Sequence, residues 1–496
     1  MRTLVRPMSA HPNARDDHGV YRLVAAPPGD DATVERSFIV GWLRLAVAAL
    51  AVAGLFALLV AVARTPTVQR FVGEGYFRLS LVAHVTFSLN VWSLSFTAAL
   101  WALALARLRL PINAPVARAT LATACAGAVL MGVASVGGVG EPLLVDYIPI
   151  LDHPLFIGGL GAFHIAVGIA AASFIVALRS ASAPLPLYAR ALRLAAATYL
   201  MAMLTAAVAF EAGWSFDWPT LAWGPGHLLQ VVNAASLVAA WTLMLPSRGE
   251  GPLALLTRAA LPLFLLPAVV VPFLYLLPGP VLLGAMGAIT WLGLTAPTVL
   301  AWLVAASAIV RGPRQGVPVV ALGVSLVLFA LGGIESLFGL EGDTRVTAHY
   351  HGTVGAVTVA YMGLTYQLLP MLGLRLRLAR LARLQPALYG LGLLLLIASL
   401  FWAASHGGQR KAFEAFAQYS GLFGPMTVFV VGAVLALLGG AAFVLSSGAS
   451  LMAGTRQASP RGERYTEALR LPGVSGPGVR PGVERPVAAA GRAAQR

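Results

Sequence analysis

The stretch Thr344-Arg345-Val346-Thr347-Ala348-His349-Tyr350-His351-Gly352 opens a long apolar segment and sets two imidazoles two residues apart. On an α-helix, at roughly 100° per residue, the two side chains stand about 200° apart around the axis. They cannot approach one metal from the same side. They can each hold a separate flat, metal-centred cofactor, one on either face of the helix. An imidazole inside a membrane segment is costly and marks function by default.

The 496 residues around this stretch are 58% hydrophobic and only 11% charged, whereas soluble domains carry about a quarter charged residues. Apolar runs of about twenty residues recur along nearly the whole length, which predicts an all-α polytopic membrane protein. A β-barrel is excluded, because its strands alternate over about ten residues. The formal charge of +15 is almost all arginine in loops and tails. It reads as topology signal and membrane-lipid contact, with no nucleic-acid partner. A single cysteine, Cys125, lies in an apolar run, and no CxxCH site for covalent haem is present.

Twelve spans are expected, at about 39–63, 79–106, 117–137, 156–178, 190–210, 223–245, 254–276, 281–310, 317–339, 347–372, 385–404 and 424–447. The first is too long for the apolar region of a secretory signal. Residues 1–38 read as a disordered extension and 448–496 as a disordered Arg/Pro/Gly/Ala-rich tail, on either side of a membrane domain at 39–447. Loops after even-numbered spans carry arginines such as Arg107, Arg179, Arg248, Arg314 and Arg375. Loops after odd-numbered spans carry acids such as Asp146, Asp217 and Glu341. Both termini are therefore expected to be cytoplasmic, in a cell inner or plasma membrane.

His84, His227, His349 and His351 all fall near the start of even-numbered spans. Each such helix runs from outside to inside, so at 1.5 Å per residue the four imidazoles share one depth within roughly 10 Å of the outer face. The chain has only nine histidines. Four at one depth, in segments far apart in sequence, is what a buried haem layer needs. His164 lies slightly deeper and is read as a core histidine. His11, His18, His153 and His406 carry no assigned chemistry.

Twelve spans, with histidines in spans 2, 6 and 10 and His-x-His in span 10, resemble the catalytic subunit I of the haem–copper oxidase superfamily. Thr347-Ala348-His349-Tyr350-His351-Gly352 with Gly355-Ala356 is similar to the cbb-type oxidase and nitric oxide reductase branches. Trp223-Gly224-Pro225-Gly226-His227 resembles the family's span-6 motif, and Asp146-Tyr147-Ile148-Pro149 through His153-Pro154-Leu155-Phe156 the loop before span 4 of the ba-type branch.

The resemblance implies two non-covalent haems, expected to be of b type. His84 and His351 would be the axial ligands of a low-spin haem, His349 the ligand of a high-spin haem, and His227 a ligand of a second metal, copper or non-haem iron. Arg410-Lys411 resembles the basic pair that neutralises haem propionates. The implied partners are dioxygen or nitric oxide and a cytochrome c-type or copper-A-type donor subunit, since no copper-A motif is in this chain.

The sequence departs from the family in span 7. Val271-Pro272-Phe273-Leu274-Tyr275-Leu276-Leu277 puts Phe273 and Leu274 where a His-His pair belongs, and apolar side chains bind neither copper nor iron. Val231, four residues after His227, stands where other branches carry tyrosine or glutamate. Tyr275 is the candidate stand-in for a redox tyrosine. Glu335 is read either as a proton-relay carboxylate or as a partner of Arg345. Glu211, Asp217 and Asp343 are candidates for docking a basic donor. Two readings stay open: a catalytic subunit of a terminal reductase, and a di-haem electron-relay or gas-sensing protein without the second metal.

Overall fold

A computed structural model of the chain describes residues 30–453, apart from 66–67, 215–216, 246–250, 278, 312–315, 339–341 and 414–419. The extension before residue 30, the tail after 453 and the loop residues Arg248, Arg314 and Glu341 lie outside the described residues.

Twelve long helices follow in chain order among the described residues. They are α1 (Asp30–Ala63), α2 (Glu74–Leu108), α3 (Ala114–Gly137), α4 (Pro154–Leu178), α5 (Leu187–Glu211) and α6 (Trp218–Met244), then α7 (Pro252–Leu274), α8 (Gly279–Arg311), α9 (Val317–Glu335), α10 (Thr344–Met371), α11 (Ala379–Ala404) and α12 (Phe423–Met452). Each expected span coincides with one of them. A two-stranded hairpin, β1 (Glu141–Leu143) with β2 (Ile150–Asp152), joins α3 to α4. The helix starts follow local chemistry. Asn113 caps α3 through its side chain, His153 caps α4, and Asp343 accepts from the Arg345 backbone N–H at 2.8 Å to cap α10.

Eleven of the helices are long and apolar enough to cross a membrane; α10, the helix that begins with the quoted stretch, is not among them. Its 28 residues include Thr344, Arg345, Thr347, His349, His351, Thr353, Thr365 and Gln367. It tolerates them because protein surrounds it. Residues 355–366 are buried without a break.

In α2 and α6, 89% and 83% of the most apolar stretch is buried inside the protein, against 33–50% in the other nine spans. The bundle therefore has an inner trio, α2, α6 and α10, which touch one another, inside a ring of helices with one lipid-facing side. All four candidate ligands sit on that trio.

Candidate cofactor-binding site

The four imidazoles line one cavity of about 1250 Å³, larger than the roughly 300–1,000 Å³ of most small-molecule sites. Each ring is held the same way. His84 Nδ1 meets the Ala53 carbonyl of α1 at 3.0 Å, and His349 Nδ1 the Gly332 carbonyl of α9 at 2.7 Å. His227 Nδ1 meets the Trp223 carbonyl at 2.7 Å, and His351 Nδ1 the Thr347 carbonyl at 2.8 Å. A carbonyl oxygen only accepts, so Nδ1 is the donor in all four. That fixes one tautomer and leaves the Nε2 lone pair available to a metal, the usual arrangement of a ligating histidine. No hydrogen bond to these four Nε2 atoms is present among the described residues.

Local sequence explains how the rings reach the cavity. Immediately after His84, α2 widens into a π-helical stretch, Thr86–Trp92; such insertions re-aim side chains and cluster at functional sites. The Gly332–Gly352 contact lets α9 and α10 meet backbone to backbone: a Cβ on Gly352 would lie 2.6 Å from Gly332 Cα. That approach brings the Gly332 carbonyl within reach of His349.

Pro225 breaks the α6 ladder two residues before His227, since proline has no N–H to give the Leu221 carbonyl. The Tyr275 hydroxyl fills the gap. It accepts from Gly224 N–H at 2.8 Å and lies 2.8 and 3.1 Å from the Thr220 and Leu221 carbonyls. Tyr275 is thus not brought to the cavity as a redox group; it secures the kink that aims His227. Tyr275→Phe is expected to cost about 1–3 kcal/mol by orphaning those groups, read as a lowered melting temperature.

The other sequence candidates separate. Arg410 and Lys411 both line the cavity. Both are bound by Asp146: Arg410 through Nη2, and Lys411 Nζ at 2.5 Å. Burial opposes ionisation of the Asp146 carboxyl, but the Arg410 charge and the Lys411 hydrogen bond outweigh it and hold the carboxyl below the ordinary value. Its contribution to stability is therefore complete above the unfolded value of about 4 and is lost as pH falls through the lower folded value. Asp146→Asn should abolish that acid-side loss and lower neutral-pH stability by about 1–3 kcal/mol, since both cations stay partly buried; melting temperature against pH measures both.

Glu335 is buried, and its Oε2 has no partner among the described residues. Arg345 is engaged by Asp343 at 2.6 Å. His164 stands off the cavity, 2.8 Å from the Tyr199 hydroxyl. Phe273 is 66% exposed, Leu274 is packed at 9%, and Val231 is fully buried. Among the described residues, no group of three His, Cys, Asp or Glu side chains is placed to hold a metal ion by itself.

Sequence reasoning missed three wall residues. Arg64, 4% exposed, ends α1, lines the cavity and lies 5.2 Å from the Phe77 ring centroid. Tyr147 and Tyr350 also line it. An arginine closing the first apolar span was a readable signal. Both tyrosines lie inside motifs quoted above, but those motifs assign them no role of their own.

No protein-family model matches the chain. An uncharacterized protein of Aquifex aeolicus (strain VF5) is 28% identical over 364 residues, covering 70% of this chain and 88% of that one. An uncharacterized protein of Rickettsia prowazekii (strain Madrid E) is 36% identical over 61 residues, 12% of each chain. Among solved structures, a chain from the cryo-EM structure of a heme-copper terminal oxidase dimer superposes with a TM-score of 0.70 at 17% identity, covering 85% of each chain. The chain is therefore an all-α polytopic membrane protein with the fold of that oxidase.

Proposed function

We propose that this chain is the haem-binding, subunit I-like component of a respiratory terminal oxidase or reductase, nearest the cbb-type and nitric oxide reductase branches in its His-x-His stretch. The observation that carries the reading is the common cavity: four imidazoles on the three innermost helices, each tied by Nδ1 to a carbonyl and each with Nε2 left over. His84 and His351 would hold one haem between them, and His349 a second. Bound there, a bis-imidazole haem supplies electron transfer without ligand exchange, and a mono-imidazole haem supplies an open iron face for dioxygen or nitric oxide.

The chain's own residues do the rest. The carbonyl tethers fix ring orientation, and leucine, valine and alanine side chains of the wall exclude water. Arg64, Arg410 and Lys411 present cations to the carboxylates of a bound cofactor, with Asp146 holding the last two until such a carboxylate arrives. Electrons would enter from a cytochrome c-type or copper-A-type subunit at the outer face. The hairpin end of the bundle would face outward and both termini the cytoplasm of the cell inner membrane.

The outward Phe273 and packed Leu274 favour a second reading, a di-haem relay or gas sensor without the second metal. One experiment separates the two. The dithionite-reduced, purified protein is titrated with carbon monoxide while haem and metal are quantified on the same sample. A shift in one of two haems supports the terminal reductase. Two haems without a shift leave the relay, and no haem at all sinks both.

A further inference from the structure

Between α8 and α9 the cavity wall opens at the side. The two helices are joined in their inner halves, where Trp302 Nε1 donates to the Leu326 carbonyl at 2.9 Å. Nearer the outer face they part. Trp291 and Val299 of α8 and Ile334 of α9 all line the cavity, yet they are 55%, 42% and 52% exposed. The crevice they border leads from the lipid-facing surface inward along α9. There Gly333 lines it, next to the Gly332 carbonyl that holds His349.

Two polar side chains stand at the back of this apolar crevice. Trp223 Nε1 donates to the Leu283 carbonyl at 3.4 Å and sets the register of α6 against α8. Both helices run from outside to inside, so two turns further on Gln230 lies level with Thr290, and Asn233 sits about one turn below. All three line the cavity. Thr290 is 3% exposed, and neither its Oγ1 nor Asn233 Oδ1 has a hydrogen-bond partner among the described residues. Elsewhere in α8 the hydroxyls of Thr295 and Thr298 return to the Trp291 and Leu294 carbonyls, at 2.7 and 2.6 Å. Thr290 makes no such bond. Buried polar groups left unpaired cost free energy. The missing partner must accept from the threonine hydroxyl and donate to the amide oxygen, and a hydroxyl group does both.

The crevice supplies the other half of the ligand. Its walls include Leu294, Trp291 and Phe329, and at Gly287, one turn above Thr290, an added Cβ would meet nothing within 4 Å. A lone water, which ordinarily makes about three hydrogen bonds when buried, would leave this apolar slot empty. A hydroxyl at the back and a long chain along the slot fill both.

We propose that Asn233 and Thr290 hold the hydroxyl of a long-chain alkyl or isoprenoid ligand whose chain lies in the crevice between α8 and α9. Two sources carry this chemistry: a hydroxylated chain borne by the haem on His349, or a separate lipid-soluble molecule such as a quinol. With the first source the inference deepens the haem reading above; with the second it stands apart from it.

The test extracts the purified native protein with acidified acetone and weighs the separated products by mass spectrometry. About one hydroxylated long-chain molecule per protein is expected. A mass belonging to a haem places the chain on the cofactor, and a colourless phenol places it on a separate lipid. Gly287→Leu puts a side chain into open space where the ligand chain runs, so G287L should fold and lose that molecule while keeping the low-spin band. Thr290→Val keeps the shape and removes the hydroxyl. T290V should release the molecule to detergent about tenfold more readily, the loss of one hydrogen bond of about 1.4 kcal/mol.

Native protein that yields only unsubstituted haem and no stoichiometric hydroxylated chain overturns the proposal and leaves the haem assignment standing. So does a chain held equally by native protein, G287L and T290V. A separate chain molecule in protein without haem supports this inference and removes the haem reading.

Discussion

On the proposed assignment, His351→Ala is expected to remove one of two haems and leave the gas-binding one, and His349→Ala to do the reverse. The two residues are neighbours on one helix, so packing alone would make their losses look alike. Their rings are tied to different places, His349 across to α9 and His351 back along its own helix. The ligand geometry therefore predicts opposite spectra: H351A keeps the carbon monoxide shift and loses the low-spin band, and H349A keeps the band and loses the shift. His84→Ala should copy H351A, since those two imidazoles would bracket one iron. Loss of a bis-imidazole ligand leaves a five-coordinate or empty site, and pyridine-extract haem content with reduced spectra reads each case. Identical spectra from H349A and H351A would sink the assignment of one haem to each face of α10.

The second large effect is expected away from any ligand. Gly332→Val drives α9 and α10 apart, because even the first added carbon would lie 2.7 Å from Thr353 N and 3.0 Å from Gly352 C, backbone atoms that cannot rotate away. A loss of about 3 kcal/mol or more is expected, together with loss of the His349 tether and, on the proposed assignment, of the haem held there. Gly323→Val, in the same helix, meets nothing within 4 Å and should fold and load normally. Thermal unfolding and haem content of the two variants side by side give the measurement. Equal behaviour would mean that helix propensity, and not the α9–α10 contact, sets the cost.

Eleven of the twelve helices were legible because membrane spans are a one-dimensional signal for which length and apolarity suffice. The depth coincidence of His84, His227, His349 and His351 was legible for the same reason, since depth follows from position along a span. What escaped depends on contacts between segments distant in sequence. Tyr275 looked like a redox candidate because it is an aromatic near the right end of span 7, yet its hydroxyl closes the gap that Pro225 opens some fifty residues earlier. Asp146 looked like a loop charge and holds Arg410 and Lys411, more than 260 residues on. The π-helical stretch after His84 has no sequence signature in Thr86–Trp92. The ring contact of Tyr147 with His227 depends on which loop folds over α6, which the quoted motif alone does not say.

The polar character of α10 also bears on how the protein is made. An insertion machinery that weighs each segment by its apolarity admits the other eleven spans on their own merits, but charges and imidazoles near a helix centre or end cost it free energy. α10 must therefore enter the bilayer alongside a partner, and α9, joined to it by a short loop and locked to it at Gly332–Gly352, is the segment at hand. Were α10 left outside, α11 and α12 would insert upside down and carry Arg375, Arg377, Arg380 and Arg383 to the wrong side. The order of assembly thus follows from the same glycine contact that brings the Gly332 carbonyl to His349: the helix that carries the His-x-His pair is also the one that does not reach its place alone.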